Sequence, residues 1–454
     1  MEINTFQIQI ENAFFFPTGV EILIPRAVAH EHHIPNGMIT VCFGSKRTPA
    51  LWDSHPSSRS TLYISHTLAK RLMFPFGATL HARYSSANHE LLLGPILGIL
   101  ISNVNPLSEE LFGLYTSFCD EASEAAQQTG CLCYIMTLDH IEKGEGYAKG
   151  WIKKNGDWVE SLLPLPHVIY NRLSNRLKER KGSTLQQINA LKESGVAIFN
   201  EHFLNKWDVY QKLLQSDLSY YLPSTLLFKR PTVLKNMVSN FSTVFLKPVH
   251  GSEGKGIFRI RRTSTGYYVD HTKENGFDTL YYTTFTDMVK SLITKLKKKA
   301  YVIQQGIPFI HWNGGPIDFR ALLQKDRMGK WRIVSLIGRM GSPHTFVSNL
   351  AQGGSLDGAT NILKMLKPTY PNLPASSQLK KTAIEIATAL DEQLDGLYGE
   401  LGIDLGVDIT GRIWLIEVNS KPSKKNDVVL ESAKRPRPSV LHLFDYVKFL
   451  SGFN

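Results

Sequence analysis

Cysteine is scarce: Cys42, Cys119, Cys131 and Cys133 are the only four in 454 residues. So few cannot form a disulfide framework, and their spacing matches no zinc pattern, which points to a reducing compartment. Cys131 and Cys133 alternate within the apolar run 131–136, so both thiols should share one strand face as buried groups without chemistry. Long apolar runs are lacking too. The longest, residues 91–101, contains Gly94, Pro95 and Gly98 and falls short of the about 20 residues that span a bilayer. The first residues have no basic segment leading into an apolar one, which argues against a classical secretory signal. No membrane span and a cytoplasmic location are therefore expected. With 34 Gly and 22 Pro, no collagen-like, mucin-like or disordered bias is present, and no internal repeat is evident.

What is abundant is positive charge: 51 Lys and Arg against 40 Asp and Glu give +11, a bias toward anionic partners such as nucleotides. The basic residues are scattered apart from Lys295 with 297–299 at a helix end and Lys434, Arg435 and Arg437 in a loop. Solvated faces explain these groups better than a nucleic-acid surface, so no nucleic-acid partner is expected.

The length suits two to four domains. Residues 1–90 alternate short β-like runs (6–10, 20–24, 39–43, 79–84) with Gly, Pro and Asn turns, and a helix over 65–72 interrupts them. This is an N-terminal β-rich domain, a barrel or sandwich. His30, His32 and His33 cluster there without partner carboxylates, as a surface loop would. Residues 91–200 change character: a strand over 91–101, Ser108 as N-cap, a helix over 109–128 stopped by Gly130, then strands at 131–137, 167–170 and 196–199 with a helix over 184–193. The pattern is a parallel αβ layer. From 201 to 454 the chain reads as α+β with antiparallel hairpins, a helix over 377–397, a loop over 421–438 and a closing helix over 439–450.

Three segments carry chemistry. The run 402–419 reads as two strands joined at Thr410-Gly411; alternation puts Asp404 and Asp408 on one side of the first strand and Glu417 and Asn419 on one side of the second. Three carboxylates and a carboxamide so close would repel unless a cation neutralises them, and hard oxygen donors suit Mg²⁺ better than zinc. In residues 243–257, Lys247 ends a strand and is followed by Gly251, Ser252, Gly254, Lys255 and Gly256. Such a loop can bring backbone N–H groups and lysines onto phosphate oxygens, although a tight hairpin turn would look similar. Asp318 and Arg320 share one face of a strand, and Arg339 ends a run from Trp331. Both arginines are candidates for stabilising an anion in a phosphoryl transfer; a structural pair of Asp318 with Arg320 is the plainer alternative.

Taken in order, Lys206, Lys247, the 251–256 loop, Tyr301 to Ile307, Asp318-x-Arg320, Arg339, Asn349 with Gly353-Gly354, and Asp408…Glu417-x-Asn419 resemble the ATP-grasp superfamily. Residues 318–422 look like ribosomal-protein glutamate ligases, and residues 91–200 like the pre-ATP-grasp domain. Most of the chain is similar to the YheC/YheD-type endospore coat-associated proteins of spore-forming bacteria, through Ile169-Tyr-Asn171-Arg172-Leu, Asn205-Lys206-Trp-Asp, Tyr221-Leu-Pro223 and Glu417-Val-Asn419-Ser-Lys421-Pro422. The resemblance implies an ATP-grasp fold over 201–454, α/β and α+β overall, preceded by a pre-ATP-grasp αβ domain (91–200) and the small β-rich domain (1–90). It implies ATP and Mg²⁺ as cofactors. Lys206 and Lys247 would contact the phosphates beneath Gly251, Ser252, Gly254, Lys255 and Gly256; Gln304, Gln305, Gly306 and Ile307 would present backbone to adenine; Asp408, Glu417 and Asn419 would bind the metal, with Asp404 in support. Arg320 and Arg339 would lie near the γ-phosphate and the bound carboxylate, and Asn349 near the substrate. The implied activity is an ADP-forming ligase joining a small-molecule or peptide carboxylate to an amine or thiol through an acyl phosphate. A non-catalytic, nucleotide-binding spore-coat assembly protein, located in the mother cell, forespore or coat, is the alternative, with coat proteins as its candidate partners.

Overall fold

The opening strands close on themselves. In the computed structural model, which describes residues 4–56, 60–142, 144–251, 254–273, 276–296, 299–343, 346, 354–424 and 436–454, the β-like runs of the first part form a closed seven-stranded barrel running from Asn4–Glu11 to Glu90–Gly94. Alternation fills it: Phe6 and Ile8, Ile39 and Val41, Leu62 and Ile64, and Leu80 and Ala82 all point inward and are buried. The helix expected over 65–72 is His66–Leu72, started by Ser65, whose Oγ accepts a hydrogen bond from Leu68 N at 3.1 Å. His30, His32 and His33 sit around the end of the short helix Arg26–Glu31.

The run 91–101, read as one strand, is two. It breaks at Gly94-Pro95, a cis bond; Glu90–Gly94 completes the barrel and Ile96–Leu100 begins the next sheet. That sheet holds four parallel strands in the order Leu132–Met136, Ile96–Leu100, Val168–Asn171 and Ala197–Phe199. It is extended by a hairpin, Tyr147–Lys154 and Asp157–Pro164, that the sequence reading left out. The helix expected from residue 109 begins only at Thr116. Gly113, at φ 56°, turns the chain in a left-handed step that a helix cannot take, so residues 102–112 run as a loop along the sheet's edge. The closing helices Pro438–Leu441 and Leu443–Ser451 pack on this middle layer, burying Val440, Phe444 and Val447 with Phe118, Tyr170 and Phe199. All four cysteines are buried, and burial pushes the Cys131 thiol up to about 11.

Two antiparallel sheets make the remainder. One follows the order Thr225–Leu227, Tyr301–Gln305, Thr243–Pro248, Phe258–Arg262, Tyr267–Lys273 and Gly276–Tyr282, backed by the helices Pro231–Asn240 and Phe285–Leu296. The other follows the order Ser355–Gly358, Trp331–Met340, Gly315–Lys325, Glu400–Val407 and Ile413–Asn419. Its backing helix, Ser376–Asp391, buries Leu379, Ala383, Ile386 and Leu390 at helical spacing. Each large aliphatic removed from water there contributes roughly 1.5–3 kcal/mol. Among the described residues no helix is long and apolar enough to cross a membrane.

Candidate active site

The open faces of the two antiparallel sheets and the edge of the middle layer enclose a cleft of about 1090 Å³. Of the residues singled out from the sequence, Lys206, Lys247, Gly251, Gly254, Lys255, Gln304, Gln305, Ile307, Arg320, Arg339, Glu417 and Asn419 line it. Gly256 and Gly306 are not on its wall. Ser252 and Asn349 lie outside the described residues.

One wall is built to meet anions. Asn205 caps the helix Lys206–Leu214 by accepting from Asp208 N at 2.9 Å, which fixes Lys206 at the helix start. The Lys206 ammonium donates to Gly251 O at 2.8 Å and pairs with Glu417 at 3.1 Å. Lys247 leaves the strand Thr243–Pro248 and donates to Gln304 Oε1 at 2.6 Å, while Gln304 Nε2 donates to Thr225 Oγ1 at 3.1 Å. Burial, with the like charge of Lys206 adding to it, pulls the Lys247 ammonium down to about 8. The loop that follows turns through Gly254 (φ 69°) and Gly256 (φ 71°), conformations that glycine reaches without strain. At the exit of the strand Tyr301–Gln305, Gln305 N donates to Ser224 O and Gly306 N to Thr243 O, which turns both donors away from the cleft. Ile307, on the cleft wall, gives its N–H to no backbone carbonyl among the described residues.

The opposite wall is a ladder of ion pairs set by strand register. Asp318 pairs across to Arg339, Arg320 to Asp404, and Asp404 to Glu417. The side chains follow that register: Arg339 holds both oxygens of Asp318, at 2.5 and 2.7 Å, and reaches Asp404 at 2.8 Å. Arg320 clasps Asp404 with two hydrogen bonds, the one from Nη2 at 2.8 Å. The Asp318–Arg320 pair weighed from sequence is thus replaced by two cross-strand pairs. Burial alone would raise the Asp404 carboxyl, but Arg320 and Arg339 outweigh it and hold it below the usual range. Burial likewise disfavours the Arg339 charge, and Asp318 and Asp404 more than restore it. Two arginines are therefore fixed, charged and oriented, before any ligand arrives.

Asp408 does not join them. The strand Glu400–Val407 has ended, and Asp408 closes the turn instead: Oδ1 accepts from Thr410 N, Thr410 Oγ1 and Arg412 N at 2.6–3.0 Å, and Oδ2 from Trp414 Nε1 at 2.8 Å. Burial raises its carboxyl, but these donors hold it low, and it is off the cleft wall. Asp404, given a supporting part from sequence, takes the place across from Glu417. A register shift between Asp404 and Leu405 is the cause. It also brings the neighbours Leu415 and Ile416 both to the cleft wall, which regular strand alternation would not do. On the same wall, Phe309 packs so closely on Gly406 that a Cβ there would stand 2.2 Å from the ring.

Residues 195–450, more than half of the chain, match the family described as YheC/D like ATP-grasp. The chain belongs to that family. Within the ATP-grasp fold so identified, the two antiparallel sheets are the halves that face each other across the cleft. The endospore coat-associated protein YheD of Bacillus subtilis (strain 168) is 26% identical over 421 residues, covering 91% of this chain and 88% of YheD. Endospore coat-associated protein YheC of the same organism is 26% identical over 282 residues, 59% of this chain and 74% of YheC. The solved D-alanyl-alanine synthetase A from Vibrio cholerae aligns over 79% of this chain and 98% of its own, at 13% identity and a TM-score of 0.46.

The donor set of the ladder fits a hard cation in part. Glu417 and Asn419 line the cleft from one strand, whereas both Asp404 oxygens are held by arginine. Among the described residues no three His, Cys, Asp or Glu side chains converge as a metal cage. Mg²⁺ does not need one, since it is commonly held by one or two carboxylates with substrate phosphates and water completing its octahedron. Sequence reading missed Arg172, Arg176 and the loop through Asn105 and Phe112 as parts of the cleft. Only Gly113 signalled that this segment is not a helix.

Proposed function

We propose that this YheC/D like ATP-grasp protein is an ADP-forming ligase that activates a carboxylate with Mg-ATP and passes the acyl group to an amine or thiol. The observation that carries the reading is the pair Arg320 and Arg339, held by Asp318 and Asp404 on the wall facing Lys247, with Lys206 paired to Glu417 beside them. Preorganised cations cost no reorientation when charge develops on a transferring phosphoryl group, which is where such groups lower a barrier most. Lys247 from the other sheet and Lys206 from the helix start beside Glu417 hold the phosphates, and Leu415, Ile416 and Phe309 give the purine an apolar bed. A Mg²⁺ at Glu417 and Asn419 would offset charge between the outer phosphates. The arginines then steady the carboxylate for in-line attack, and the walls keep water from the acyl phosphate.

Calorimetry of the full chain with Mg-ATP tests the nucleotide step, and absence of binding at millimolar ATP rejects it. Coupled ADP release across pooled amino acids, peptides and spore metabolites tests turnover. A second reading, nucleotide-dependent assembly without turnover, is favoured by the coat-associated names of both Bacillus relatives. Binding without ADP release in every pool would select it.

A further inference from the structure

The cleft runs past the ladder into a second compartment beneath the middle layer. Its wall comes from the loop containing Asn105, Phe112 and Leu114 and from Arg172, Arg176 and Phe203. The phosphate-facing cations are on the two antiparallel sheets and at Lys206, so the charge here serves another ligand.

Arg176 carries that charge into the cleft. Its Nη1 donates to Leu204 O at 2.9 Å and its guanidinium lies 4.4 Å from the Phe203 ring; it forms no close ion pair among the described residues, and Glu417 and Glu179 act on it only at longer range. Arg172 underlies it, 1% exposed, with Nη2 on Pro422 O at 2.9 Å and a buried Nε–H that meets no acceptor among the described residues. Arg172, Lys421 and Lys424 of this wall are balanced by Glu400 and Glu179 behind it, which leaves Arg176 to face the cleft, and Glu110 is the one carboxylate that this loop adds to the wall. An anionic group is the complementary ligand.

The rim is apolar. Leu114, on the cleft wall, is 71% exposed, and Leu107 (99%) and Leu177 (79%) are exposed next in sequence to the wall residues Ser108 and Arg176. A free amino acid held within the cleft would leave these side chains in water; a chain passing out over the rim would cover them. Ser102, Asn103, Asn105 and Ser174 supply neutral hydrogen-bonding groups along the same wall, suited to a peptide backbone.

We propose that this compartment is a peptide subsite, taking a segment whose acidic residue meets Arg176 while flanking apolar side chains cover Leu107, Leu114 and Leu177. The inference rests on the ligase reading for its role, since a peptide bound here would be the substrate that the ligase acts on. Binding itself stands apart from turnover.

The test uses two amidated hexapeptide pools with randomised flanks, one fixed as Glu and one as Gln at the fourth position, retained on the immobilised full chain with and without Mg-ATP. The Glu pool should be retained at least tenfold over the Gln pool, with apolar residues enriched beside the Glu. Arg176→Gln should erase the preference, and Leu107→Ser/Leu177→Ser should remove the apolar enrichment, with Mg-ATP thermal shifts unchanged in both. Equal retention of the two pools, or competition by free glutamate as effective as by the Glu pool, overturns the proposal. Loss of the Mg-ATP shift with pool selection intact would instead overturn the ligase reading.

Discussion

Asp404 stands directly across the ladder from Glu417 while its own carboxylate holds both Arg320 and Arg339. One buried group therefore orients two cations and borders the acidic end of the cleft. Asp404→Asn removes the charge and leaves both guanidiniums under-compensated in a site that is 5% exposed at Asp404. Breaking a buried pair in this way costs about 3–5 kcal/mol, to be read by chemical denaturation. ADP release should fall by roughly 10²–10³-fold. Mg-ATP affinity, set mainly by the lysine wall, should change far less. A variant with wild-type turnover would remove the arginines from the mechanism.

Asp408 and Glu417 separate a turn from a metal site. Asp408→Ala strips four hydrogen bonds from one turn, a loss of about 1–3 kcal/mol, yet its Mg²⁺ titration should overlay that of the parent. Glu417→Gln should do the reverse: little change in stability, since its pair with Lys206 is partly exposed, and a metal dependence shifted at least tenfold. The two titrations, followed by the Mg-ATP thermal shift, decide between the ligand sets.

Why the sequence pointed to Asp408 rather than Asp404 is physical. Strand alternation gives both the same parity, so parity cannot rank them; what decides is where the strand stops and where the ladder slips by one residue, and neither has a signature in Ile403-Asp404-Leu405 or Ile416-Glu417. Lys247, Arg320 and Arg339 were legible because glycine turns and alternation are local, whereas Lys206 entered only through the family resemblance. The crossed pairing of Asp318 with Arg339 was not, because it depends on registry between strands. The second compartment was hidden for a related reason: apolar periodicity over 109–128 reads as one helix, and the single left-handed step at Gly113 frees its first part to line the cleft.

Lys247 makes nucleotide binding depend on pH. In the free protein its ammonium sits at about 8, below the unfolded value of 10.5. As pH rises through 8 the charge that attracts phosphate is lost, so Mg-ATP affinity should fall, and binding near pH 8.5 should take up a fraction of a proton. Calorimetry in buffers of different ionisation enthalpy reads that uptake. The stability sign is opposite. Holding the charge costs stability below pH 8, and that cost disappears as pH climbs toward 10.5, so the free protein should gain stability over this window relative to Lys247→Met. Gln304→Glu puts a carboxylate where Gln304 Oε1 lies 2.6 Å from the ammonium, and should move the affinity break upward. Affinity flat from pH 7 to 9.5 would contradict the account.

Glu400 joins the middle layer to the cleft's lower sheet. It is fully buried, and its carboxylate accepts from Gln324 Nε2 at 2.8 Å, from Lys424 and from Tyr170, with Arg172 at 3.8 Å. Gln324 also donates to Ser439 O at 2.7 Å, which draws the closing helices to the same point. Burial would raise the Glu400 carboxyl, but Lys424 and Arg172 overcome it and hold it low. Its contribution is therefore present above the unfolded carboxylate range and lost as pH falls below about 4. Glu400→Gln removes the charge that Glu400 supplies to Lys424 and Arg172, at a cost of about 3–5 kcal/mol. Adding Lys424→Met removes one of these two buried cations and should recover part of that loss, because the two sites share one network and their effects do not add. Because Glu400 bonds to both layers, the single variant should also uncouple them, turning one denaturation transition into two when tryptophan fluorescence and Mg-ATP binding are followed together. Coincident transitions in Glu400→Gln, at parental midpoint, would show that the layers are held by apolar packing alone.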